Sequence, residues 1–209
     1  MEQAVYRTIK ELADQYACEL KKQVDLRMEE MKDDDTSHYL LYQVLGVSNK
    51  EGSLIDTYQN KGRFLYKYAG AFLEEAAIIC MQYKYPDSTK VRIPNTLGLR
   101  PKTFEIDCLV NGLAHEIKWR DATTDGDHIT KEHTRVKVIQ AKGYTPIRVM
   151  FYYPQRAQAK RIQETLETLY NGIGGRYYYG DRAWEYIHSY TGIDLLGILK
   201  RIAVSRELE

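Results

Sequence analysis

Residues 104–119 read FEIDCLVNGLAHEIKW, two alternating stretches divided by Asn111-Gly112. Period-two alternation marks half-buried strands, and Asn-Gly between two of them is the strongest short-range signal for a tight hairpin. With those two residues as the loop, the register follows. Val110 faces Leu113, Leu109 faces Ala114, Cys108 faces His115 and Asp107 faces Glu116; Ile106 then faces Ile117, and Glu105 faces Lys118. One face of this ribbon carries Phe104, Ile106, Cys108, Val110, Leu113, His115, Ile117 and Trp119, apolar apart from His115. The other carries Glu105, Asp107, Glu116 and Lys118.

Working outward, the period changes on both sides. Upstream, Val5, Ile9, Leu12, Tyr16, Leu20 and Val24 recur at helical spacing, so residues 2–31 read as one long helix. A short helix capped by Ser37 ends near Gly46, and NKEGS at 49–53 reads as a loop. A third helix runs from about Ser53 to Tyr83. Its main stripe is Leu65, Tyr68, Ala69, Phe72, Ala76, Ile79 and Tyr83, widened by Ala71, Leu73, Ala77 and Ile78 until the helix reads as buried on several sides. Downstream, 129–142 is helical and closes at Gly143. PIRVMFYY at 146–153 is a strand, 155–170 is an amphipathic helix, a glycine-rich turn follows at 172–175, and 181 to about 203 is mainly helical. Helices, a hairpin, then helix, strand and helix predict an α/β domain with a mixed β-sheet.

The charged face of the hairpin carries the chemistry. Directly opposed like charges are destabilising, so Asp107 opposite Glu116 asks for a reason. A shared divalent cation supplies one, because two carboxylates offer the hard oxygen ligands that suit magnesium. Lys118, two residues along the same strand, projects beside that cation, where it can orient or help deprotonate an attacking water. The alternative reading of the same spacing is a solvated face with cross-strand ion pairs such as Glu105 with Lys118.

Asp107, followed after eight residues by Glu116-Ile117-Lys118, resembles the PD-(D/E)xK nuclease signature, and among these nucleases the chain looks most like a type II restriction endonuclease. The likeness covers roughly residues 62–170 and departs from the signature at Ile106, where the proline would stand. It implies a restriction-endonuclease-like core with an N-terminal helical elaboration: a single domain over 1–209, with the elaboration at 1–52, the nuclease core at 53–170 and a helical segment at 171–209. It further implies Mg2+ held by Asp107, Glu116 and the Ile117 carbonyl, with Lys118 positioning the water and stabilising charge at the phosphate. Double-stranded DNA would be the substrate, a homodimer the working form and a DNA methyltransferase of the same specificity the companion. Gly70-Ala71-Phe72-Leu73-Glu74 resembles the family's Gly-x-x-Leu-Glu and points to Glu74 as a further acid, whereas helical periodicity places Glu75 nearer the main apolar stripe.

The segment leaving the catalytic strand offers Arg120, Thr123, Thr124, Asp125 and His128 as DNA contacts, with Lys131 and Arg135 following on the next helix to meet phosphates. The same stretch, Asp121 to Gly126 with Glu132 in the twelfth place, resembles an EF-hand calcium loop. It follows a strand, however, where an EF-hand needs a helix. Two other functions stay open beside restriction: a repair or junction-resolving nuclease with the same motif, and a non-catalytic DNA- or calcium-binding module. Composition excludes little else. Three scattered cysteines give no disulfide framework or zinc site. A net charge of +1 leaves any phosphate contact to a local basic patch. No apolar run is long enough to cross a bilayer, and the charged N-terminus lacks the apolar block of a signal peptide, so the cytoplasm is the expected location.

Overall fold

Asn111 and Gly112 adopt φ of 51° and 74°, the two positive values that a type I′ turn needs. The hairpin they close joins β2 (Thr103–Val110) to β3 (Leu113–Arg120) at the centre of a five-stranded sheet of order β1-β2-β3-β4-β5. Residues 2–98, 100–120 and 126–207 are described by this structure, a computed structural model.

The chain divides into two compact units, Lys10–Phe72 in one and Met1–Ile9 with Leu73–Glu209 in the other. The division falls inside α1 (Glu2–Glu30) and α3 (Asn49–Lys84). Within the first unit Tyr16 of α1 sets its ring edge-on to Tyr68 and Phe72 of α3, at 6.1 and 5.8 Å. The short α2 (Tyr39–Val44) is tied to α3 by Tyr42, whose hydroxyl donates to Asp56 at 3.0 Å. NKEGS is the first turn of α3 and not a loop. Ser48 accepts the Glu51 amide, and Gly52 lies against the Tyr42 ring, which would have to move to admit a larger residue.

The second unit holds the sheet. β1 (Thr89–Pro94) pairs antiparallel with β2, and β3 pairs parallel with β4 (Thr145–Tyr152), which pairs parallel with β5 (Arg176–Tyr179). The crossover helices α4 (Gly126–Ala141) and α5 (Ala157–Gly172) bury Val136, Ile162, Leu166 and Tyr170 together with Tyr177 of β5. Val138 and Ile139 of α4 pack on Phe104, Ile106 and Ala114. From α6 (Asp181–Thr191), Tyr186 meets His115 and Trp184 meets Phe151, and α7 (Leu195–Glu207) completes the unit. β1 and β5 have no counterpart in the sequence reading. β1 is mostly exposed and too mixed to alternate cleanly, and β5 is four residues long.

Two expectations about faces are corrected. In α3 the buried apolar side chains are Leu73, Ala76, Ala77, Cys80 and Met81, a stripe one residue out of step with the Phe72–Ala76–Ile79–Tyr83 line. Leu65 and Tyr66 are exposed. In β2 the alternation breaks. Thr89 pairs with Leu109 but Val91 pairs with Ile106, so β2 carries an extra residue in the Asp107-Cys108 stretch. That bulge reverses the phase of the strand. Phe104 and Ile106 share a face with Leu109 and Ala114 rather than with Cys108 and His115.

Candidate active site

The bulge also ends the hairpin ladder. β2 and β3 pair at Val110↔Leu113, Leu109↔Ala114 and Cys108↔His115, and the Asp107↔Glu116 pair expected next is not formed. Instead the Ile117 amide donates to Asp107 Oδ2 at 2.8 Å, so a carboxylate takes the place of a backbone acceptor. Beyond this point β3 is held from its other side, with Glu116 beside Arg148, Ile117 beside Val149 and Lys118 beside Met150 of β4.

Asp107 and Glu116 are both buried, each 5% exposed. Lys118 Nζ sits 2.6 Å from Glu116 Oε1 and 3.8 Å from Asp107 Oδ2, so one ammonium lies between the two acids. The three residues are therefore assembled, although by a bulge and a side-chain hydrogen bond rather than by facing positions in a ladder. Burial, followed by the charge of Glu116, pushes the Asp107 carboxyl up to about 7, against the pull of Lys118; Glu74 adds to the rise. Burial opposes ionisation of Glu116 too, but Lys118, Arg135 and Arg148 outweigh it and hold that carboxyl below its ordinary value. For Lys118 the charges of Glu116 and Asp107 exceed the cost of burial, and its ammonium is held more firmly than in water.

Glu74 is the helical acid that reaches this field. At about 100° per residue it lies at the edge of the observed buried stripe of α3, whereas Glu75 lies opposite it. Glu74 is half-buried and ion-paired with Lys90 Nζ at 3.0 Å; Glu75 is exposed. The earlier preference of periodicity for Glu75 came from a stripe one residue out of step.

Behind Glu116 stands a buried ion network that sequence reasoning missed. Arg135 of α4 pairs with Glu116 Oε2 and, at 3.4 Å, with Glu132. Glu132 Oε2 also pairs with the wholly buried Arg148 at 3.2 Å and accepts the Tyr170 hydroxyl at 3.0 Å. One signal was available: an arginine inside PIRVMFYY, a strand apolar enough to be covered on both faces, needs a buried acid. Arg135, expected to meet DNA phosphate, is thus engaged with two acids. Glu132, the twelfth place of the calcium-loop reading, is engaged by two arginines and a tyrosine, and the element before that loop is β3. The EF-hand reading does not survive this geometry.

Of the other expected contacts, Arg120 ends β3 with its guanidinium 5.5 Å from the Trp119 ring centroid, His128 is half-buried in the first turn of α4, and Lys131 is exposed. Thr123, Thr124 and Asp125 lie outside the described residues. His115 is a core residue. Its Nδ1 contacts the Cys108 carbonyl at 3.0 Å and its Nε2 the Tyr186 hydroxyl at 2.7 Å, and burial lowers it to about 4, so it stays neutral.

Among the described residues no three His, Cys, Asp or Glu stand together as a ready metal cage. The donor set is a buried pair of carboxylates and the backbone next to them. In kind this fits a hard cation such as magnesium, which binds through one or two carboxylates and keeps several waters. The high Asp107 value records first its burial and then the charge of Glu116, and a cation beside the two acids would offset both.

A mixed five-stranded sheet flanked by helices, with two buried acids and a lysine on its central hairpin, defines a nuclease core of the PD-(D/E)xK class. The family model described as ApaLI-like restriction endonuclease matches residues 1–204, nearly the whole chain, and the chain belongs to that family. No curated protein and no solved structure matches.

Proposed function

We propose that this chain is a type II restriction endonuclease that makes magnesium-dependent, sequence-specific double-strand breaks in DNA, leaving 5′-phosphate and 3′-hydroxyl ends. The observation that carries the proposal is the burial of Asp107 and Glu116 around the Lys118 ammonium. Bound magnesium would lower the pKa of a water and neutralise charge at the phosphorus. Asp107, Glu116 and the Ile117 carbonyl would hold it. Arg135 fixes the Glu116 carboxylate from behind, so that acid meets the substrate in one orientation. Lys118 keeps its proton and donates to the scissile phosphate and to the incoming water. The water gives a proton to bulk solvent as its oxygen bonds to phosphorus, the bond to the 3′ oxygen breaks, and that oxygen takes a proton from solvent and leaves as a hydroxyl. Glu74 adds a third acid at the rim.

Arg120, Thr123, Thr124, Asp125, His128 and Lys131 are the proposed DNA contacts. A homodimer would present two such sites to the two strands of a palindrome. The enzyme would act in the cytoplasm beside a methyltransferase that protects the host's copies of the site. Plasmid incubated with the protein and magnesium is expected to give discrete bands whose ends, read by run-off sequencing, report the site and the cut position. Lys118→Ala should abolish the bands while circular dichroism at the assay temperature shows the variant folded. A Lys118→Ala enzyme that cuts normally would overturn the site, and cleavage of branched but not linear DNA would favour the junction-resolving reading.

A further inference from the structure

The sheet does not end at Lys118. The next two residues of β3, Trp119 and Arg120, form one wall of a 560 Å³ cleft, and Tyr152, Tyr153, Gln155 and Arg156 form much of the rest. Arg120 pairs with Tyr152 across the parallel ladder, so these two side chains stand side by side on one face of the sheet. Two of the rings are braced by others: Tyr152 stands edge-on to Trp184 at 5.9 Å, and Tyr153 packs on Tyr179 at 4.5 Å. The volume falls within the range of roughly 300–1,000 Å³ typical of sites for small organic ligands.

We propose that this cleft receives a single unstacked nucleotide of the DNA substrate, with its base against Trp119 and Tyr152 and its phosphate at Arg120 and Arg156. The inference rests on the nuclease reading above and adds to it a place for one base. Three aromatic rings are more than a phosphate needs, and π-faces on which a base stacks are what single nucleotides use. The Gln155 amide carries both a donor and an acceptor, suited to a base edge. Arg156 precedes α5, whose first turn holds no acidic residue, so no charge there repels an anion. Position agrees with chemistry: two residues of strand carry the chain about 7 Å from Lys118 to Arg120, or about two base rises of 3.4 Å along the DNA.

The test is equilibrium binding without divalent metal, followed by anisotropy of labelled ten-nucleotide single strands. One strand is oligo-dT, and the other is its abasic counterpart with the same number of phosphates. Wild-type protein should bind oligo-dT about tenfold tighter than the abasic strand, the usual scale of one lost stacking contact. Trp119→Ala and Tyr152→Ala should erase that preference, Trp119→Phe should keep it, and Arg156→Ala should weaken both strands alike. Equal binding of the two strands by wild type would mean a phosphate site only and overturn the proposal. So would a preference that survives both alanine variants. Because the wild-type comparison needs no variant, a misfolded Trp119→Ala leaves the proposal testable. Failure of the nuclease reading shows separately, as plasmid left intact with magnesium.

Discussion

Asp107 gives up its proton only near pH 7, because it is buried beside Glu116 and within the field of Glu74. Its folded value therefore lies above its unfolded value of about 4, so its ionisation costs folding free energy. The cost is absent below pH 4, and stability is lost as pH rises from there through about 7. In urea titrations without divalent metal, Asp107→Asn is expected to gain on wild type between pH 4 and pH 8, by on the order of 1 kcal/mol. A gap that shrinks over that range would contradict the site. A cation must displace the same proton, so the magnesium concentration for half-maximal cleavage should rise as pH falls below 7, by up to about tenfold per unit. The helical acids give a second residue-scale prediction. Glu74→Gln should slow plasmid cleavage at least about tenfold and Glu75→Gln by less than about twofold, since only Glu74 touches the charge balance of Asp107.

At the scale of elements, α4 is bound to the sheet by charge as well as by Val136, Val138 and Ile139. Glu132 neutralises both Arg135 and Arg148. Glu132→Gln would leave two buried guanidinium groups short of one acid, and the expected loss in urea unfolding is about 3 kcal/mol. Cleavage should fall with it, because Arg135 would no longer be held against Glu116. A variant as stable as wild type would mean that water reaches this network. The hairpin shows what was legible. Asn111-Gly112 is a local property and the turn follows from it, whereas the spacing of Asp107, Glu116 and Lys118 only puts the three residues on neighbouring strands. The bulge is not local. It arises because β2 must satisfy β1 on one side and β3 on the other, and β1 is an exposed edge that leaves little pattern. Glu132 and Arg148 are 16 residues apart and meet only once α4 has crossed the sheet.

On the whole molecule, the α/β class and mixed sheet were readable because helical and strand periods alternate along the chain. The unit boundary was not, because α1 and α3 each run through it without a break in pattern. Among the described residues no helix is long and apolar enough to cross a membrane. Leu40, Leu41, Val44 and Leu45 around α2 are each about two-thirds exposed or more. The proposed two-fold assembly gives the prediction at this scale. Sedimentation equilibrium at micromolar protein should return twice the 24.4 kDa chain mass, and a single-chain mass at concentrations that cut both strands at once would exclude it.

The hydrogen bond from the Ile117 amide to Asp107 makes one proton of the backbone an internal reporter. An amide bonded to another backbone group records only whether the sheet is open or closed. This one is bonded to a carboxylate whose charge changes near neutrality and would change again on loading a cation. Its nitrogen-15 resonance should therefore move with pH around 7 and with magnesium, while the neighbouring amides of β3 bonded to β4 stay still. Occupancy of the centre could then be followed in solution with no DNA present, one atom from where the chemistry would occur.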